Sequence, residues 1–458
     1  MFKWNTNNII DATGGRDVNG CNWTHSSNIS TDTRSIKKGD LFIALKGKNF
    51  DGHNFLHEAF LKGASAAIVS EGKYKNFPLI IVQDTLKALH DMASYYIRNI
   101  LVDAKVIAIT GSVGKTATKD MLHTVLSQYG VFHANEGNLN NNIGLPLTIL
   151  KAPKNCQYLI LEMGMNKAGE IKELSKISNP NIAVITNIEP AHTENFSSLF
   201  DVAQAKLEIL YGMKSNGTLV LNRDNKYYDY LSSNANRNVI SFGKDKNAEV
   251  CLLDLIRNDD GLNLKIRLSD NQTINCNLRV QGEHFAYSLL VVAAVVQSLG
   301  LDLSKLPLAL KNFSVTKGRG NIHKVKYNKK YIHLIDDSYN ASPASMKTAI
   351  KTLSTYSNQR KVALLGDMLE LGDKSIEFHT DLVKIVTENN IDKIYTVGKF
   401  MLELHELLPD NIRGAHFNDS NQLKSDLANI IQNNDAILVK GSRRMKMDLI
   451  VREFIIEY

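Results

Sequence analysis

Val106-Ile107-Ala108-Ile109-Thr110-Gly111-Ser112-Val113-Gly114-Lys115-Thr116 is the stretch that decides the fold. A bare apolar run makes a buried strand, glycines follow at once, and a helical pattern opens at Lys115. Strand, glycine turn and helix in that order form an anion cradle. The glycines let backbone N–H groups close on phosphate oxygens, and the helix N-terminus adds positive potential. Lys115 is suited to neutralise terminal phosphates and the Thr116 hydroxyl to ligate Mg²⁺. The candidate nucleotide-binding residues here are Gly111, Ser112, Val113, Gly114, Lys115 and Thr116. The spacing is shorter than the common GxxxxGK[ST], because Ile109 stands five residues before Gly114. A purely structural glycine turn does not call for a Lys-Thr pair at the helix start. Taken alone, the loop leaves motor, switch, kinase and ligase open.

Working outward, apolar strands recur at residues 158–162, 182–186 and 218–221, with helical stretches such as 199–211 between them. Strands alternating with helices imply a parallel, doubly wound sheet that binds ligands at its strand C-termini. Ahead of the loop, residues 40–45, 66–69 and 79–82 read as strands, and 56–62 and 86–101 as helices. Beyond it, 248–281 alternates as antiparallel ribbons do, 284–299 is an apolar helix, and 315–320 reads as a hinge. Residues 331–335, 361–365, 393–397 and 436–439 start a further alternation. The fold class is therefore α/β in three domains. A small domain spans 1–102, a central phosphate-loop domain 103–315, and a C-terminal Rossmann-like domain 316–458.

Length agrees, since 458 residues suit about three domains of ~100–200 each. Hydrophobic residues at 43% with 22% charged fit a globular chain and exclude long disorder. The longest apolar run, residues 289–296, falls far short of the ~20 that span a bilayer. Asp11 stands where a secretory signal would be apolar, so a cytoplasmic protein is expected. The cysteines at 21, 156, 251 and 276 are too widely spaced for a disulfide framework or a CxxC metal site. Fifty-four Lys and Arg against 47 Asp and Glu give +7 without any run of like charge. That balance argues weakly for nucleic acid and equally suits a small anionic substrate.

Glu162 ends the strand at 158–162, where a carboxylate beside the phosphate loop is suited to Mg²⁺. The next strand ends in Thr186-Asn187-Ile188-Glu189-Pro190-Ala191-His192, which brings His192 to the same edge. A histidine in a loop is ordinarily a solvent-facing or capping group, but this position makes it a candidate ligand. Lys206 lies among small residues on the helix that follows, either as a solvated lysine or where another element approaches closely.

With these motifs in view, the sequence resembles the Mur ligase family, ATP-dependent amide-forming enzymes of peptidoglycan precursor synthesis. The resemblance is carried by TGSVGKT at 110–116, NLNNNIGLPLT at 138–148, LEMG at 161–164, TNIEPAH at 186–192 and AKLEI at 205–209. It implies that Thr116, Glu162, His192 and Lys206 form the metal site, with Lys206 carbamylated. Lys115, Glu162, His192 and Lys206 are the implied catalytic set.

Flanking motifs resemble the family member that adds D-alanyl-D-alanine to UDP-N-acetylmuramoyl-tripeptide. They are STDTR at 30–34, GDLFIALKG at 39–47 and DGH at 51–53 near the N-terminus. Toward the C-terminus they are DDSYNASP at 336–343, GDMLELG at 366–372 with His379, and KGSR at 440–443. The implied substrate-binding residues are Thr31, Arg34, Lys46, Gly47, Asn141, Asn142, Lys440 and Ser442. Arg319, Asp336 and Asn340 are implied to serve ATP. Family members carry Gly-x-His-Asn and a second Asn three residues on. Here Gly282-Glu283-His284 leads into Phe285, and Ser288 holds the second place, implied to contact adenine. The relative that adds the third amino acid carries an Asp-Asn-Pro-Arg signature, which is absent here, and folate polyglutamate synthases are not expected to have GDMLELG. Those ligases, and a non-enzymatic phosphate-loop regulator, remain the alternatives. The resemblance implies ATP and Mg²⁺, the UDP-tripeptide and the dipeptide as ligands, and a monomer without nucleic-acid or membrane partners. The small domain is expected to recognise the UDP-tripeptide independently of ATP binding.

Overall fold

The computed structural model describes residues 2–18, 23–26, 28–47, 49–72, 77–190, 193–258, 261–311 and 313–456. His192 and Cys21 lie outside them. Three sheets follow one another along the chain, of five, nine and six strands.

The central sheet is built around the strand Lys105–Thr110, which pairs in parallel with Tyr158–Glu162 on one side and Ile182–Ile185 on the other. Phe132–Ala134 closes the first side, and Thr218–Asn222 then Asn238–Gly243 extend the second. The order of strands thus reverses at Lys105–Thr110, and a crevice opens beyond its C-terminal end. Side chains alternate through this strand as the pleat requires: Val106 and Ala108 enter the core on one face, Ile107 and Ile109 that on the other.

The ribbons over 248–281 are not a separate unit. Val250–Asn258 continues the central sheet in parallel, and Gly261–Arg267 with Thr273–Leu278 follow antiparallel to it. The sheet is therefore mixed rather than wholly parallel. The helix His284–Ser298 is apolar nearly all round, and it is buried under this half of the sheet beside the helix Lys115–Leu126.

In the small domain Ile29–Ser30, Leu41–Ile43, Ala66–Val69 and Leu79–Ile81 are parallel, with Arg16–Val18 antiparallel at the edge. Its helix Thr85–Asn99 packs on Gly144–Lys151 and Glu170–Ser178 of the central domain, and the Tyr96 hydroxyl donates to the Ala152 carbonyl at 2.7 Å. Trp4, Tyr96, Leu145 and Leu174 belong to one continuous core, so this domain shares its interior with its neighbour.

The C-terminal sheet places Lys330–Asp337 between Asn321–Tyr327 and Asp435–Lys440, followed by Arg360–Gly366, Lys393–Val397 and Arg413–Phe417. Only the first pair is antiparallel. The parallel register sets Asp337 opposite Lys440 at the strand ends.

Candidate active site

Gly114 takes φ +85° as the cap of the helix Lys115–Leu126, a conformation that L side chains rarely adopt. Gly111 also has positive φ, and a Cβ there would lie 1.9 Å from Thr186 Oγ1. That hydroxyl donates to the Val113 carbonyl at 2.6 Å, and the Ser112 N–H donates to the Asn187 carbonyl at 2.8 Å. The loop is thereby fixed by the strand end that follows it in space. Within it the Lys115 ammonium donates to the carbonyls of Gly111 at 2.6 Å and Ser112 at 3.3 Å. Burial pulls the Lys115 pKa down, and the Glu162 carboxylate opposes the shift.

Thr116 donates its hydroxyl to Glu162 Oε2 at 2.9 Å. The other carboxylate oxygen accepts from Asn140 Nδ2 at 2.9 Å, and the Glu162 N–H donates to Asn135 Oδ1 at 2.6 Å. Lys119 Nζ lies 3.9 Å from Oε2. Lys206 is buried, and burial first, then the nearby Lys115, holds its pKa well below the ordinary lysine value. Buried hydroxyl and carboxylate oxygens at the sheet's crevice suit a hard cation such as Mg²⁺, which takes few protein ligands. Among the described residues no three His, Cys, Asp or Glu cluster as a metal cage.

Lys115, Thr116, Asn140, Glu162 and Lys206 line a cleft of 1460 Å³, together with Asn141 and Asn142 of the central domain and Arg319, Asn340, Lys440 and Ser442 from the C-terminal side. Ser288 also lines it, buried, with Thr118 Oγ1 3.3 Å from its hydroxyl. Arg319 stacks its guanidinium over Tyr339, 4.1 Å from the ring centroid. Lys440 donates to Asp337 at 2.6 Å and to the Asn340 carbonyl at 2.9 Å. Ser442 accepts from the Leu369 N–H at 2.8 Å, tying the KGSR turn to the GDMLELG loop. His379 accepts from the Met368 N–H at 2.9 Å and braces that loop from beneath.

Asp336 occupies a different place from the one its motif suggested. Its carboxylate is buried and accepts from the Gly318 N–H at 3.0 Å and the Ser338 hydroxyl at 2.6 Å, while Asp337 faces the cleft. Asn141 accepts from the N–H groups of Ile143 and Gly144, and the Asn142 carbonyl meets His90 Nε2 at 2.6 Å. Thr31, Arg34, Lys46 and Gly47 lie outside the cleft, on the small domain. There Arg34 pairs with Asp32 at 2.6 Å, which pulls the Asp32 pKa down to about 2, and Lys46 lies 3.6 Å from Asp51. Asn140 and Lys119, which meet Glu162, went unmarked in the sequence. Asn140 stands in the quoted NLNNN segment, and Lys119 is one turn beyond Lys115.

A phosphate loop at a sheet switch point, faced across a cleft by the strand ends of another α/β domain, defines a nucleotide-dependent enzyme that unites groups delivered by separate domains. Three family descriptions match in order: "Mur ligase family, catalytic domain" over 25–105, "Mur ligase middle domain" over 109–296, and "Mur ligase, glutamate ligase domain" over 318–443. The chain belongs to the Mur ligase family. It is 40% identical over 435 residues to the UDP-N-acetylmuramoyl-tripeptide--D-alanyl-D-alanine ligase of Buchnera aphidicola subsp. Baizongia pistaciae, covering 94% of this chain and 92% of that one. The crystal structure of MurF from Acinetobacter baumannii matches with a TM-score of 0.92 at 30% identity, over 99% of both chains. MurF ligase from Thermotoga maritima, solved in complex with ADP, matches at 0.83 and 28% identity, over 94% of this chain and 97% of that one.

Proposed function

We propose that this chain is the ATP-dependent ligase that joins D-alanyl-D-alanine to UDP-N-acetylmuramoyl-tripeptide, forming the pentapeptide precursor of peptidoglycan. The observation that carries the reading is the Thr116–Glu162 contact beside Lys115 and buried Lys206, set opposite Lys440 and Arg319 in one cleft. Residues 1–102 receive the UDP-sugar through Thr31, Arg34, Lys46 and Gly47. Residues 103–315 hold ATP, and 316–458 bring up the dipeptide.

The difficulty in this chemistry is that a carboxylate must meet a polyanionic phosphate. Lys115 offsets that repulsion when it turns from the Gly111 carbonyl to the terminal phosphate. An oxygen of the tripeptide's terminal carboxylate attacks the γ-phosphorus, the bond to the β-phosphate oxygen breaks, and ADP leaves. The neutral amine of the dipeptide then attacks the acyl-phosphate carbonyl. The new amide forms as the C–O bond breaks, the amine loses a proton, and phosphate departs. Asn141 and Asn142 orient the tripeptide, Lys440 and Ser442 the dipeptide, and Arg319 and Asn340 the nucleotide, with Ser288 near its base. Mg²⁺, when bound by Thr116, Glu162, His192 and a carbamylated Lys206, supplies charge neutralisation at the phosphates. Water must be excluded while the acyl phosphate exists, so closure of the C-terminal domain over the cleft protects it.

The test is incubation with ATP, Mg²⁺, D-alanyl-D-alanine and UDP-tripeptide bearing either diaminopimelate or lysine, followed by mass analysis. A pentapeptide product, with phosphate released only when both substrates are present, is expected. ATP hydrolysis indifferent to both substrates contradicts the reading.

A further inference from the structure

Lys119 is 4% exposed and does not line the main cleft; it opens instead onto a second cavity of 560 Å³ behind the phosphate-loop helix. Its ammonium donates to the Asn135 carbonyl at 2.9 Å. It also lies between two carboxylates, 3.9 Å from Glu162 Oε2 and 3.7 Å from Asp120 Oδ1. Neither distance is that of a formed hydrogen bond, so the ammonium is shared. The other oxygen of Asp120 accepts from the Thr316 hydroxyl, at the start of the hinge.

The hinge itself is bonded to the C-terminal sheet. Gly318 and Gly320 donate to Asp336, through side chain and main chain, at 3.0 and 2.7 Å, and Tyr339 donates to the Gly318 carbonyl at 2.9 Å. Asn321 closes the turn by donating to the Val315 carbonyl at 2.9 Å. Thr316 to Asp120 is thus a tie between the unit that carries the C-terminal domain and the helix that carries the phosphate loop.

We propose that Lys119 is a positioning residue that couples Glu162 to the hinge: shared between Glu162 and Asp120, it lets the engagement of Glu162 set how firmly Asp120 holds Thr316. This rests on the reading of Glu162 as a group that engages the nucleotide's cation. Once Glu162 is so engaged, its pull on Lys119 falls and the ammonium closes on Asp120. The second cavity leaves room for that shift. Asp120 then divides its charge between ammonium and hydroxyl, and the tie to Thr316 slackens. Nucleotide loading in the cleft is in this way read out at the hinge, by residues that touch neither substrate.

The test is amide hydrogen exchange on the full chain with and without Mg·ADP, followed at residues 111–116 and 315–318. In the wild type Mg·ADP slows exchange in the loop and speeds it at the hinge several-fold. Thr316→Val has a hinge that already exchanges within twofold of the loaded wild type, and Thr316→Ser, which keeps the hydroxyl, restores wild-type behaviour. Lys119→Met keeps loop protection but loses the hinge response. Asp120→Asn removes the charge that draws the ammonium and serves as the second variant if Lys119→Met does not fold. In ligation, Thr316→Val changes kcat at least threefold while KM for ATP stays within twofold. Hinge responses in Thr316→Val and in Lys119→Met or Asp120→Asn that match the wild type overturn the coupling. A loop at 111–116 indifferent to Mg·ADP overturns the nucleotide reading, and the coupling with it.

Discussion

Lys440 and Asp337, 103 residues apart, meet at 2.6 Å on neighbouring strand ends, with 2% of the lysine side chain exposed. Burial pushes the Asp337 pKa up, and Lys440 opposes that shift. Such a pair contributes little net stability over an apolar substitute, yet losing one partner strands the other. Lys440→Met is therefore expected to destabilise the protein by about 3–5 kcal/mol in urea unfolding. Lys440→Met combined with Asp337→Asn should recover much of it. Equal midpoints for the single and double variants would show that the pair is not coupled.

His284, on the central domain's side of the cleft, gives the fold a pH dependence. Its Nδ1 is buried and unpartnered, and desolvation of the ring, assisted by Lys440, lowers its pKa to about 4. The folded state thus favours the neutral ring, and the unfolded chain binds the extra proton between the ordinary pKa of 6.5 and about 4. The stability involved is fully present above 6.5 and is lost progressively as pH falls toward 4, on the order of 3 kcal/mol in all. A His284→Phe variant should flatten this slope between pH 6.5 and 4. A slope identical to the wild type's would refute the assignment.

The small domain was expected to be separable, and its interior argues otherwise. Tyr96 is fully buried and donates to the Ala152 carbonyl, a bond that crosses from one domain to the other. Removing residues 1–102 strips cover from Leu145, Ile149 and Leu174, so the remainder should be poorly soluble or unfolded. Tyr96→Phe should lower stability by about 1–2 kcal/mol, because the buried carbonyl loses its donor. A truncated chain that folds with the thermal midpoint of the whole would show that the shared core is dispensable.

This interface escaped the sequence because helix Thr85–Asn99 carries the same apolar stripe whatever it packs against. Residues that repeat with a period were readable: Tyr158–Glu162 and Lys393–Val397 have the bounds their apolar runs suggest. Short strands without such a run, Phe132–Ala134 and Arg413–Phe417, were not, since neighbours rather than pattern hold them in the sheet. The chemistry was legible wherever one residue type at one spacing specifies it, as from Gly111 to Thr116. It was not legible where register decides. Asp336 and Asp337 are adjacent, and only pairing with Asp435–Lys440 directs one to Lys440 and the other to the hinge. Asn140 likewise reaches Glu162 through the fold of its loop, in a segment where several asparagines look alike.

Lys206 carries the most specific expectation. It is buried beside Lys115, and an ammonium there repels both that lysine and any cation held by Thr116 and Glu162. Carbamylation replaces the positive charge with a negative one and offers two oxygen ligands to a hard cation. The reaction needs the neutral amine, and burial beside Lys115 shifts Lys206 toward that form. Lys206→Ala should lose at least ~100-fold in ligation rate, since about 3 kcal/mol of charge stabilisation corresponds to that factor. Formate or acetate should restore part of it by filling the vacated oxygen positions. Intact mass measured in bicarbonate should show a carbamate mapping to Lys206. A Lys206→Ala enzyme that ligates at the wild-type rate, or an unmodified lysine in active protein saturated with bicarbonate, rules the modification out.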